Sequence, residues 1–371
     1  MAKPTLGPYL AKNPLLYLYL KAFDSLWKFF PKKPSGMTSP KKILLVHLAH
    51  KGDVILATSL LPLLKKHYPT SALGMLVSTS SQDVVLNHPL LDAIHCIDHP
   101  KLNRAPISFF QKCKLYLRTL KKELPLLKTY DLSIDPYPYY PTSHWITYLA
   151  KIPLRVGFQS GGGAPLLTHS VLWSYKSRSL AYDFLDLLQA LDIKAFSLKS
   201  SLAPLSQKTT LQLQKKHAFD KPYILLHPYA GNPLKHAKDS LWQELAEHLK
   251  TSPYTLIFTG GSLEERKKIE ALALPFTKNL AALLSFNELQ ALVAQAKALV
   301  CVDTMIAHLA ATYDIPSVVL YTGLSDPNLW KPLSSKTFPV YKNAACFPCF
   351  KKQGCHCIQA SDILLHLTHL L

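Results

Sequence analysis

The chain has 371 residues, which at about 100–200 residues per domain is two domains with some surplus. Hydrophobic residues make up 48% and charged residues 18%. That excludes a disordered chain, a coiled coil and a disulfide-stapled miniprotein. Forty-two Lys and Arg against 23 Asp and Glu give +19, a surface that favours phosphorylated ligands, anionic membrane or nucleic acid.

Residues 1–40 read as a basic amphipathic extension, with six Lys and one Asp. Asn13-Pro14 is a helix start and Pro31 a stop. Lys21, Asp24, Ser25 and Lys28 fall on one narrow polar stripe, and the rest is Leu, Tyr, Phe and Trp27. Such a helix must bury its apolar face, either against an anionic bilayer through residues 14–30 or against the protein's own body. The run Leu15 to Leu20 is too short for a signal-peptide core, and no stretch of about 18 uncharged apolar residues occurs. The expected location is therefore the cytoplasm, peripheral on the inner face of the cytoplasmic membrane.

From residue 41 strands and helices alternate. Predicted strands are 42–47, 73–78, 93–97 and 132–135, with a helix over 54–68, a basic helical hairpin over 101–128, a flexible loop at Gly161 to Gly163 and a helix over 182–191. A second series has strands at 223–227, 254–259, 298–302 and 317–321. Its helices run over 240–250, 264–273, 286–296 and 305–313. This order predicts parallel sheets with helices on both faces, in two doubly wound domains. The expected division is 41–205 and 206–345, followed by a Cys-containing tail and C-terminal helix over 346–371. In such sheets ligands bind beyond the carboxyl ends of the strands.

Several familiar devices are absent. No GxGxxG follows a strand, and neither a P-loop nor HExxH occurs. The polar residues after strands are the candidates. Asp53, in the loop His50-Lys51-Gly52-Asp53, can serve as a general base or simply favour a first helical turn. Asp303 and Thr304 end a strand before a helix carrying His308, where free N–H groups would receive a pyrophosphate, or where an ordinary cap precedes a core histidine. Gly260-Gly261 before Glu264 and Glu265 suits a ribose-contacting loop. Cys346, Cys349, Cys355 and Cys357 lack paired CxxC spacing, so free thiols or a local disulfide are expected rather than a metal site.

These segments together resemble the heptosyltransferase family, glycosyltransferase family 9. The resemblance rests on ILLVHLAHKGDVILATSLLPLLKKHYP (43–69), NHPLLDAI, YDLSID…RVGF, ILLHPYAG…K with WQELAEHL, FTGGSLEER, VDTMIAHLAATYDIPSVVLYTGLSDPNLWKP and the CFPC…GC tail. It implies a GT-B architecture, an acceptor domain and a nucleotide-sugar domain facing an interdomain cleft. It implies inverting transfer of heptose or a related sugar from an ADP-type donor to lipopolysaccharide core, with no cofactor or metal. Asp53 then matches the general base, with His50, Lys51 and Gly52 beside it on the acceptor side. Lys235 matches a donor-phosphate lysine, Glu264 the ribose loop, and Asp303, Thr304 and His308 the donor-binding turn. Met305 stands where the family usually has glycine, and DPYPYYPTSHW (135–145) is unusually rich in Pro and aromatics. A nucleotide-sugar epimerase of similar fold and a degenerate membrane-associated nucleotide-sugar-binding protein are the rival expectations. No nucleic-acid motif is present.

Overall fold

The computed structural model describes residues 14–27, 39–103, 105–139, 143–174, 176–217, 219, 221–322, 324–342 and 357–371. Two compact units emerge. The first comprises 1–176 with 181–203, the second 177–180 with 204–371.

The first unit contains α1 (Pro14–Trp27), β1 (Lys42–His47), α2 (Lys51–Ala57), α3 (Leu60–His67), β2 (Ala72–Val77), α4 (Gln82–Val85), β3 (Ala93–Cys96), α5 (Phe109–Leu127), β4 (Leu132–Asp135), α6 (His144–Leu149), β5 (Leu154–Phe158), β6 (His169–Val171) and α7 (Phe184–Gln189). Its sheet runs β3-β2-β1-β4-β5-β6, parallel throughout. In β1, Ile43 to His47 are all buried, the unbroken burial of a central parallel strand covered on both faces. The second unit contains α8 (Gln207–His217), β7 (Tyr223–His227), α9 (Asp239–Leu249), β8 (Thr255–Phe258), α10 (Leu263–Glu270), β9 (Lys278–Asn279), α11 (Phe286–Ala294), β10 (Ala298–Val302), α12 (Met305–Thr312), β11 (Ser317–Leu320), β12 (Thr337–Val340) and α13 (Ala360–Leu370). Its sheet runs β12-β11-β10-β7-β8-β9. Both sheets therefore repeat one order, with the winding direction reversing between β1 and β4 in one and between β7 and β10 in the other. Those reversals are where doubly wound folds bind ligands.

Three sequence expectations are corrected by local chemistry. The single helix over 54–68 is two. Thr58 and Ser59 turn their hydroxyls back onto the carbonyls of Ile55 and Leu56, each at 2.6 Å, and Pro62 has no N–H to continue the ladder. The hairpin over 101–128 is one helix, α5, started by a reciprocal Ser108–Gln111 cap and interrupted by nothing before Pro125 in its last turn.

The third correction concerns α1 and the triple glycine. Asp24 does not face water on a polar stripe: it is 6% exposed, and its Oδ1 accepts the Gly163 N–H at 2.7 Å. Gly162 and Gly163 adopt φ of 85° and 77°, and a Cβ on Gly162 would sit 2.7 Å from Leu20 Cδ2. The loop is thus the pinned seat of the helix, since a buried carboxylate demands a donor. Leu20 is buried and Trp27 packs edge-on against Trp145 at 5.1 Å and Tyr148 at 5.4 Å. The opposite face leaves Leu15, Leu18, Tyr19 and Leu26 exposed by 58–76%. Lys28, Pro31 and three tail cysteines (Cys346, Cys349, Cys355) lie outside the described residues; Cys357 is a free thiol. No helix among the described residues is long and apolar enough to cross a membrane.

Candidate active site

At the carboxyl edge of the first sheet, β1 ends in His47 and β4 in Asp135. His47 is 3% exposed and its Nδ1 has no hydrogen-bond partner. Burial pulls its pKa down to about 4 against the opposing pull of Asp135, so the ring is neutral at pH 7. After the loop comes α2, with Lys51 and Gly52 in its first turn and Asp53 at the third position. Asp53 Oδ2 accepts the His50 N–H at 3.1 Å, so this carboxylate caps its own helix and is held in one orientation at the strand edge. Gly52 is helical rather than left-handed. Lys51 pairs with Asp83, which gives it a local partner at this edge. Asp135 anchors a buried group that sequence reasoning overlooked. It accepts from the Ser143 hydroxyl and from the Tyr137 N–H at 3.1 Å, and His144 Nε2 lies 3.2 Å away.

At the corresponding edge of the second sheet, Lys235 closes a short 3-10 turn, Pro233–Lys235. Its Nζ donates to Asp303 Oδ2 at 2.6 Å and to the Asp303 carbonyl at 3.2 Å. Asp303 follows β10 and is 5% exposed. Thr304 is the N-cap residue of α12, but its side chain makes no capping hydrogen bond, so the helix N-terminus keeps its positive end uncapped. One turn in, His308 is 5% exposed and its Nδ1 has no hydrogen-bond partner. Burial lowers its pKa to about 4, with Asp303 raising and Lys235 lowering it. An ammonium, an uncapped helix start and an orphaned imidazole nitrogen thus converge on the β10 edge, a constellation of the chemical kind that suits an anionic phosphate.

The family model described as glycosyltransferase family 9 (heptosyltransferase) matches residues 118–357. This chain belongs to that family. Lipopolysaccharide heptosyltransferase 3 of Escherichia coli is 22% identical over 302 residues, 76% of this chain and 84% of that one. Among solved structures, a family 9 glycosyltransferase from Veillonella parvula superposes with a TM-score of 0.75 at 18% identity, covering 91% of this chain and 99% of its own. The ADP-heptose heptosyltransferase II of E. coli gives 0.71 at 20% identity, covering 89% and 98%. The fold is therefore GT-B, two doubly wound α/β units, and the protein is a glycosyltransferase.

Within this glycosyltransferase, Lys235, Asp303, Thr304 and His308 gather at one strand edge. Glu264 does not join the glycine loop. Its side chain is 78% exposed and pairs with Lys268 one turn along at 2.7 Å, which lowers its pKa. Glu265 instead reaches back, its Oε2 accepting the Gly261 N–H, while its own N–H bonds Ser262 Oγ at 3.2 Å. Helical geometry explains the swap, because residue 265 stands three after the cap and so faces the loop. His227 was also overlooked. It ends β7 as His47 ends β1, buried with Nδ1 2.9 Å from Thr259 Oγ1 and its pKa near 4 through burial. The signal was present as two parallel strands both closing on His, LLVH and LLH.

Proposed function

We propose that this glycosyltransferase transfers a heptose or related sugar, with inversion, from an ADP-type nucleotide-sugar to the core of lipopolysaccharide. The observation that carries the reading is the meeting of Lys235, the uncapped start of α12 and the orphaned His308 Nδ1. That set suits the diphosphate of a donor. The Asp53 carboxylate takes the acceptor hydroxyl's proton as the new oxygen–C1 bond forms and the C1–O bond to the diphosphate breaks. Negative charge collects on the departing nucleotide. Lys235 and the α12 dipole oppose it, and neutral His308 donates one hydrogen bond. Asp303 holds the Lys235 ammonium in place, and Glu265, through the Gly260-Gly261 loop, replaces Glu264 as the residue assigned to the ribose side.

The enzyme is assigned to the cytoplasm, on the inner face of the membrane. Asp24 is the one acid in residues 1–40 and is turned inward, so the outward face of α1 offers Leu15, Leu18, Tyr19, Leu26 and Lys21 to an anionic bilayer. Incubation with a panel of nucleotide sugars and deacylated core oligosaccharides, read by mass spectrometry, tests the reaction. A product heavier than its acceptor by one heptose, with ADP released, is expected. No transfer from any ADP-sugar would overturn the assignment.

A further inference from the structure

The carboxyl edge of the first sheet carries a line of aromatic rings that neither the base nor the donor residues explain. It begins at His47, at the end of β1. Tyr137 stands edge-on to it at 5.6 Å between centroids, Tyr139 follows at 5.7 Å, and Trp173 at 6.5 Å. Trp173, two residues past β6, is 8% exposed and backs Tyr139 from the core, so the ring surface this line offers is that of Tyr137 and Tyr139.

The segment is held rigidly. Pro136 and Pro138 fix their own φ, Asp135 accepts the Tyr137 N–H, and Ser160 Oγ donates to the Pro138 carbonyl at 2.9 Å. Trp173 Nε1 donates to the buried Asp183 at 2.8 Å. Tyr137 and Tyr139 are nevertheless only half-buried, so rigid backbone presents ring surface instead of hiding it. At the start of the line the His47 Nδ1 is buried and without a partner, a polar atom placed to bond a hydroxyl. Ring faces carry negative charge density and attract the polarised C–H groups of a pyranose while burying its apolar face.

We propose that Tyr137 and Tyr139, backed by the buried Trp173, form a stacking platform for a pyranose ring of the acceptor oligosaccharide, with His47 Nδ1 bonding a sugar hydroxyl at its inner end. This rests on the glycosyltransferase reading and names how its acceptor is held.

The test uses deacylated lipopolysaccharide core oligosaccharide as the probe and the full-length enzyme. Tyr139→Ala and Tyr137→Ala should each raise the acceptor KM about five- to tenfold while leaving donor KM and ADP affinity by calorimetry unchanged. Tyr139→Phe, which keeps the ring, should restore the wild-type acceptor KM. Saturation-transfer NMR should show wild-type enzyme saturating the C–H protons of the oligosaccharide, with the signal weakened in Tyr139→Ala. Unchanged acceptor KM and saturation transfer in both alanine variants would overturn the platform. So would equal losses for Tyr139→Phe and Tyr139→Ala, or loss of ADP affinity in parallel, since either marks a merely structural role. Wild-type enzyme that binds ADP and transfers to a different acceptor, yet does not bind core oligosaccharide, would overturn the platform and leave the transfer chemistry standing. Absence of ADP binding altogether would instead sink the reading beneath it.

Discussion

Met305 carries the most direct question at the scale of one residue. It is the first residue of α12, half-buried, directly after Thr304. Its Cβ and thioether flank the N–H groups that an anion would approach, whereas glycine would leave them open. Met305→Gly should therefore tighten ADP binding several-fold by calorimetry, and unchanged or weaker affinity would contradict the crowding. Lys235 and Asp303 show why a charge pair is informative only with its neighbours. At 2.6 Å the pair is satisfied by itself, and the proposal that this corner receives the donor rests on the third party, a buried His308 nitrogen left unbonded. Glu264 and Glu265 make the same point. Both are acids in one turn, and only the one three residues after the cap faces the glycines.

Among the elements, the proposed contact with the membrane rests on α1. A helix seated by one buried carboxylate and a cluster of aromatics keeps its other face apolar in water, at a cost of about 25 cal/mol for each Å² left exposed. Wild-type protein should float with vesicles containing anionic phosphatidylglycerol, and Leu15→Glu with Leu18→Glu should abolish flotation without unfolding the first unit. Flotation unaffected by the double substitution would contradict the membrane assignment. The parallel, doubly wound class and most central strands were legible in the sequence, because fully buried parallel strands are uninterrupted apolar runs such as KILLVH and ALVCV. The edge strand β3 was legible as well, but β5, β6, β9 and β12 were not. The β6 run HSV and the β9 pair KN are short and half-exposed, and their strand conformation comes from pairing with β5 and β8 rather than from their own pattern. The orientation of α1 was likewise illegible. Period alone places Asp24 with Lys21 and Ser25, and only the Gly163 N–H, 139 residues away, draws it inward. In the site, Asp53, Lys235 and the 303–308 turn stood out as polar residues after strands, whereas the Asp135–Ser143–His144 group depends on contacts across a segment that sequence spacing does not encode.

On the scale of the whole molecule, three of the imidazoles buried at or beside the two strand edges share a lowered pKa. His47, His227 and His308 each have a pKa near 4, with burial the leading cause. In the unfolded chain they titrate near 6.5. Below that value the unfolded chain binds protons that the folded one refuses, so stability is full above pH 6.5 and is lost as the pH falls toward 4. Between pH 7 and 5 each ring costs about 2 kcal/mol. The urea midpoint should fall markedly over that interval, and a midpoint independent of pH would contradict the neutral assignment of these rings. The proposed mechanism divides the labour, with proton removal on the first unit and leaving-group stabilisation on the second. Asp53→Ala measured for transfer and for ADP affinity in parallel tests it most directly. The expected result is a fall in kcat of about 10²- to 10⁴-fold with ADP affinity close to wild type; transfer that survives the substitution, or ADP affinity lost along with it, would contradict the division.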